Sequence, residues 1–99
     1  MSTTLDPVLR LAVAERDGWR CRFCGRTNTG IEAHHIIYRS AGGPDAVDNL
    51  ICLDRQCHNT VHGLGRLRLP KADYTEILTE LVASPGRTGL ALLRQRKVV

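Results

Sequence analysis

Residues 33–62 read AHHIIYRSAGGPDAVDNLICLDRQCHNTVH, and this stretch holds all four histidines of the chain, His34, His35, His58 and His62, with the Cys57-His58 dipeptide and a polar Asn49 among them. Imidazole is the side chain that changes charge near neutrality and the commonest metal ligand, so gathering every imidazole here points to metal or proton chemistry rather than core packing. Local patterns run strand, loop, strand, helix. Residues 31–38 are apolar around the histidine pair and read as a strand, and residues 39–48, rich in Gly, Pro, Ser and Asp, read as a loop. Residues 49–53 form a second short apolar run, and from Asp54 or Arg55 the pattern turns helical. His58 and His62 then stand at i and i+4 on one helix face.

Adjacent strand residues point to opposite faces, so in a hairpin His34 and His35 take different roles. If His34 faces the helix, it joins His58 and His62 in a site of three imidazoles with a position left for a phosphate oxygen or water. Such ligands suit zinc, nickel, manganese, or magnesium completed by water and phosphate. His35, turned the other way, is free to act as a general base. Asn49 can hydrogen-bond the backbone near His35 and hold its orientation, because a carboxamide both donates and accepts. For His62 the other reading is a helix-surface histidine, since the i, i+4 spacing does not by itself establish ligation.

Before this stretch, residues 18–30 read GWRCRFCGRTNTG, in which Cys21-x-x-Cys24 followed by Gly25 forms a zinc-knuckle turn. Arg16, Arg20, Arg22 and Arg26 crowd the segment, either as DNA-phosphate contacts or as solvated arginines around a knuckle. Asp6-Pro7 opens an N-terminal helix over about residues 6–17, with Leu9, Ala12 and Val13 as its apolar stripe and Gly18 ending it. After the histidines, Asp73 with Glu76 resembles a capping box, and Tyr74, Ile77, Leu78, Leu81 and Val82 recur at helical spacing until Ser84-Pro85-Gly86. Residues 90–99 read as a short helix with a basic finish at Arg94, Arg96 and Lys97, serving either as a phosphate-contacting tail or as a disordered terminus.

Composition bounds these readings. Ninety-nine residues make one small domain, whose 42% apolar content with only 4% aromatics gives a thin aliphatic core that a metal would help to stabilise. The net charge is +4, carried nearly all by arginine, which fits a polyanionic partner such as nucleic acid. The opening MSTTLDPVLRLAVAERD lacks the features of an export signal, and no apolar run approaches membrane length, so no membrane association is expected. In a reducing cytoplasm, cysteines spaced as Cys21, Cys24, Cys52 and Cys57 favour metal ligation over disulfides.

The segments ERDGWRCRFCG, AHHII, RSAGGPDAVDNL and QCHNTVH together resemble the HNH endonucleases, over residues 15–62. The resemblance implies an α+β fold with a small ββα-metal (His-Me finger) core of a two-stranded antiparallel hairpin and a helix, and a zinc knuckle; the local patterns at the unmatched ends add an N-terminal helix and a C-terminal helix. With the chain length, this gives a single nuclease domain over 1–99, with its core at 15–63 and, from the helical patterns after the histidines, a C-terminal helical extension at about 70–99. Carried over to these positions, it makes His34 and His58 metal ligands, His62 a third ligand found in some members, His35 the general base and Asn49 the orienting residue. Arg39 in the loop becomes a phosphate clamp or a plain surface residue.

The implied activity is hydrolysis of DNA phosphodiester bonds with one catalytic divalent ion (Mg2+, Mn2+, Ni2+ or Zn2+), leaving 5′-phosphate and 3′-hydroxyl ends by nicking or double-strand cleavage. The protein would belong to a bacterial or phage-infected cytoplasm, acting alone, as a homodimer, or beside packaging or restriction machinery. The alternative is a non-catalytic, zinc-stabilised module that binds DNA or protein. One departure stands out. Zinc-containing members often place a second CxxC pair ending in the cysteine of Cys-His, and the partner position before Cys57 holds Asp54. Three outcomes follow: a structural Zn2+ on Cys21, Cys24 and Cys57 with Asp54 as the fourth ligand, the same three with Cys52 as the fourth, or a weak structural zinc; Cys52 reads equally well as a small buried hydrophobe.

Overall fold

The computed structural model describes residues 5–27, 30–65 and 67–96. In chain order it contains α1 (Pro7–Arg16), β1 (Glu32–His35), β2 (Leu50–Leu53), α2 (Arg55–Val61), α3 (Lys71–Ala83) and α4 (Gly89–Arg96), with 3-10 turns at Arg39–Ala41 and Val47–Asn49. The chain is thus an α+β protein. Its two strands are antiparallel, and the register sets Glu32 opposite Leu53, Ala33 opposite Cys52, His34 opposite Ile51 and His35 opposite Leu50.

Strand β2 is buried on both faces, and its alternation divides the core. Leu50 and Cys52 face α1 and pack with Leu5, Val13 and Ala14. Ile51 and Leu53 face the opposite way and pack with Cys21, Phe23, Cys57, Ile77, Leu78, Leu81 and Leu92. Burying each large aliphatic side chain of this set stabilises the fold by roughly 2 kcal/mol. On α1 the buried face is Val13 and Ala14, whereas Ala12, expected on the stripe, is exposed.

The first strand is shorter than the apolar run suggests, because the side chain of Asn49 takes the place of a strand partner. Ile36 still donates to the Asn49 carbonyl at 2.8 Å, but Ile37 donates to Asn49 Oδ1 at 2.9 Å. The Asn49 amide donates to the carbonyls of Ile37 at 3.1 Å and Pro44 at 2.9 Å. The loop then folds tightly back: Gly43 donates to the Tyr38 carbonyl at 2.9 Å, and a Cβ at Gly43 would collide with the Ile37 carbonyl.

A buried ionic hub joins the termini to this core. Asp17 Oδ1 accepts from Arg16 Nε at 2.7 Å and from Arg22 at 2.8 Å, and Asp17 Oδ2 accepts from the Cys52 amide at 2.9 Å. Arg22 also donates to the carbonyls of Leu81, Ser84 and Arg87, closing the C-terminal end of α3. Arg22 is 4% exposed, which corrects the reading of it as a DNA contact: its guanidinium is held inside by one carboxylate and three carbonyls.

Helix α3 begins at Lys71 after Pro70, with no side-chain cap, so Asp73 sits inside the first turn and the expected capping box is not what opens the helix. Pro70, with φ fixed at −57°, already sets the entry, and its carbonyl accepts from Asp73. Glu76 instead pairs with Arg96 of α4 at 2.9 Å. The first amides of α4, from Gly89 and Leu90, donate to the carbonyls of Arg22 and Phe23, tying the C-terminal segment to the cysteine turn. Lys97 lies outside the described residues. Among the described residues no helix is long and apolar enough to cross a membrane.

Candidate metal centres and active site

The cysteine turn is shaped by Gly25, whose φ of +86° lets its amide donate to the Cys21 carbonyl at 2.8 Å. Across it, Asp54 caps α2: its Oδ1 accepts from the Cys57 amide at 2.7 Å, while Oδ2 meets Cys24 Sγ at 3.3 Å. One ligand atom from each of Cys21, Cys24, Asp54 and Cys57 lies within 4.8 Å of the others. The Cys21 thiol is pulled down to about 5, first by the hydrogen bond with Cys57, against burial, with the amides of Cys24, Asp54 and Phe23 aimed at its sulfur. Cys57 is pushed up by that same hydrogen bond and then by burial, and Cys24 chiefly by burial. Three sulfurs and a carboxylate gathered in this way fit the donor set of a structural zinc ion.

Cys52 is not part of this group. It lies on the α1 face of β2, the reverse of the face carrying Cys21 and Cys57, and burial together with Asp17 pushes its thiol up to about 12. Of the two candidates for a fourth ligand, only Asp54 reaches the thiols.

The second group lies where the strand end meets α2. Ligand atoms of His34, His58 and His62 lie within 4.8 Å of one another. Their ring centroids are 5.1 Å apart for His34 and His58, 5.3 Å for His34 and His62, and 4.6 Å for His58 and His62. Burial, then the neighbouring His58, His62 and Lys71, brings His34 down to about 3. Burial, His58 and Lys71 lower His62 as well. Neutral imidazoles keep their lone pairs, and three of them at this spacing fit a divalent transition-metal ion.

Two partners missing from the sequence reading orient these rings. Glu32 Oε1 is 2.6 Å from His58 Nδ1, and Glu32 Oε2 accepts from Arg55 at 3.1 Å. A carboxylate only accepts, so Nδ1 carries the proton and Nε2 is left to ligate. Burial raises the Glu32 carboxyl, but hydrogen bonds with His58 and Arg55 outweigh it and leave the group low. The signal was available, since Glu32 stands two residues before His34 and so shares its face of the strand. The second partner is Tyr38, whose hydroxyl lies 2.7 Å from His62 Nδ1.

His35 stands apart from the three clustered imidazoles, opposite Leu50 in the register. Its Nε2 is 2.7 Å from Asp45 Oδ1, which fixes the proton on Nε2 and the lone pair on Nδ1. Asp45 is held low first by Arg39, which donates to it at 2.9 Å through both Nε and an Nη, and then by His35. Asn49 sits behind, bonded to the backbone of Ile37 just beyond His35. An open cleft of about 360 Å³ is lined by His34, His35, Tyr38, Arg39, His58 and His62, among others. Arg20 is exposed and lies in a separate cleft with Arg16 and Arg87.

The comparisons with known proteins bear on this arrangement. A family model described as HNH endonuclease matches residues 21–63. Over 65 residues, 58% of this chain, the sequence is 31% identical to the Type IV methyl-directed restriction enzyme EcoKMcrA of Escherichia coli (strain K12), covering 24% of that protein. Over 39 residues, 39% of this chain, it is 51% identical to the "Probable mobile endonuclease C" of Enterobacteria phage T4, covering 19% of it. The chain therefore spans about a quarter or less of the length of these relatives. The segment matched by the HNH endonuclease model, residues 21–63, is the one that carries the hairpin, the helix across it and the cysteine turn, so the chain is similar to that family over this segment.

Proposed function

We propose that the chain is a metal-dependent DNA endonuclease, and that residues 1–99 work as one unit in which the helices outside 21–63 brace the site. The observation that carries this reading is the division of labour among four imidazoles: three with ligand atoms within 4.8 Å, and a fourth, His35, held by Asp45 with its Nδ1 lone pair available. A divalent ion on His34, His58 and His62 would supply positive charge to a phosphate oxygen and to the leaving 3′ oxygen. His35 Nδ1 takes a proton from the attacking water, and Asp45 holds the imidazolium that results. Asn49 keeps the backbone after His35 in place through its bonds to Ile37. Arg39 at the cleft and the exposed Arg20 contact phosphates, which is the use to which a net charge of +4 points.

In this reading the products carry 5′-phosphate and 3′-hydroxyl ends, and a structural zinc ion is held by Cys21, Cys24, Cys57 and Asp54. So small a surface reads few base pairs, so selectivity comes from a second copy or from packaging or restriction machinery in a bacterial or phage-infected cytoplasm. The test is incubation of supercoiled plasmid with Mg2+, Mn2+, Ni2+ or EDTA, beside His35→Ala. Relaxation or linearisation that requires the ion and is lost in the variant is the expected outcome, and the form of the first product distinguishes nicking from double-strand cutting. A wild type that binds DNA yet stays as inert as the variant with every ion would mark a binding module instead.

A further inference from the structure

Lys71 lies outside the matched segment, at the first position of α3, yet its Nζ is 3.2 Å from the centroid of the Tyr38 ring. Tyr38 lines the histidine cleft, and its hydroxyl meets His62 Nδ1. Local helix chemistry does not account for a lysine here. The first turn of a helix favours anions over cations, and Asp73, the acidic residue of that turn, forms no ion pair with Lys71. Nor does ion pairing account for it. Among the described residues Lys71 has no carboxylate partner: Glu32 is taken by His58 and Arg55, Asp45 by His35 and Arg39, and Glu76 by Arg96. The result is an ammonium without a carboxylate partner, keeping its three donors and seated on the ring of Tyr38, a lining residue of the cleft whose own lining guanidinium, Arg39, is bonded to Asp45.

We propose that Lys71 is a substrate-contacting residue, an ammonium that binds a DNA phosphate at the histidine cleft, with Tyr38 serving as its platform. The C-terminal helical segment thereby completes a site whose remaining residues come from the HNH-like segment 21–63. The assignment rests on the endonuclease reading above for its substrate. The test uses the full chain carrying His35→Ala, so that DNA is not cut, and a short duplex titrated by fluorescence anisotropy at several salt concentrations with no added divalent ion.

Lys71→Met keeps the aliphatic stem on the Tyr38 ring and removes the charge. It is expected to lower the slope of log Kobs against log salt by about 0.9, the effect of one lost phosphate contact on duplex DNA, with Lys71→Arg restoring it. In the cutting-competent protein, Lys71→Met is expected to raise KM severalfold while changing kcat less. Lys71→Gln repeats the measurement should the Met variant melt below the wild type. An unchanged slope and KM in a variant that melts like the wild type would overturn the assignment, leaving Lys71 a packing residue of α3. Failure of the endonuclease reading is a separate result, an inert wild type, because the salt slope reads the phosphate contact whether or not the protein cuts.

Discussion

Glu32 and Arg22 show how a single side chain's role follows from what its strand or turn faces. Glu32 shares the α2 face with His34, so its carboxylate meets His58 at 2.6 Å and holds the ring with Nε2 free. Partners of this kind typically change metal affinity by 10–100-fold. Glu32→Gln is therefore expected to weaken Mn2+ or Ni2+ binding at the histidines by about tenfold, read by isothermal titration, with zinc content unchanged. Arg22 belongs to the interior instead. Removing a buried charge partner costs about 3 kcal/mol or more, and Arg22→Met also strips a donor from the Leu81, Ser84 and Arg87 carbonyls. Urea unfolding of Arg22→Met should show a loss of that size. A loss of DNA affinity at full stability would contradict the internal role.

At the scale of elements, the pleat of β2 decides which side chains meet the thiols of the cysteine turn. Residues 50 and 52 point to α1 and residues 51 and 53 to α3, so Cys52 is turned away from the thiols while Asp54, just past the strand, reaches them. Asp54 also caps α2, and the cap can be separated from the proposed zinc ligation because Asn is an equally good cap but carries no charge. Asp54→Asn is expected to lower zinc content while leaving helicity near that of the wild type, Cys21→Ser to abolish zinc, and Cys52→Ala to retain it. Metal analysis of the purified variants checks all three. Because ligation and folding are coupled in so small a core, chelation should lower Tm in every variant that still binds zinc.

At the scale of the molecule, Asp17 joins three parts of the chain: α1 through Arg16, β2 through the Cys52 amide and the end of α3 through Arg22. Burial alone raises its carboxyl, but the hydrogen bonds from Arg16, Cys52 and Arg22 prevail and hold it below the usual value of 3.8. A group lower in the folded chain than in the unfolded one contributes its full stability above the unfolded value and loses it as pH falls through the folded one. Thermal unfolding from pH 7 downward should therefore show Tm falling below about pH 4, with Asp17→Asn less stable at neutrality and less sensitive to acid. An acid limb identical in wild type and variant would remove Asp17 from this role.

How much was legible beforehand follows from the same distinction of scale. The sequence by itself determined the hairpin and helix, the Cys21-x-x-Cys24 turn, the separate placement of His34 and His35 and the position of Asn49, because these rest on period two, period 3.6 and short fixed spacings. It left the first strand too long, since an apolar run does not reveal that the Asn49 side chain will replace a strand partner at Ile37. Only the tertiary structure decided that Cys52 faces α1, that Arg22 is buried, that Asp45 holds His35 and that Lys71 sits on Tyr38. Each of these joins residues through loop closure and packing against another element. Such contacts depend on which surfaces are brought together when the chain folds, and residue spacing carries no record of that.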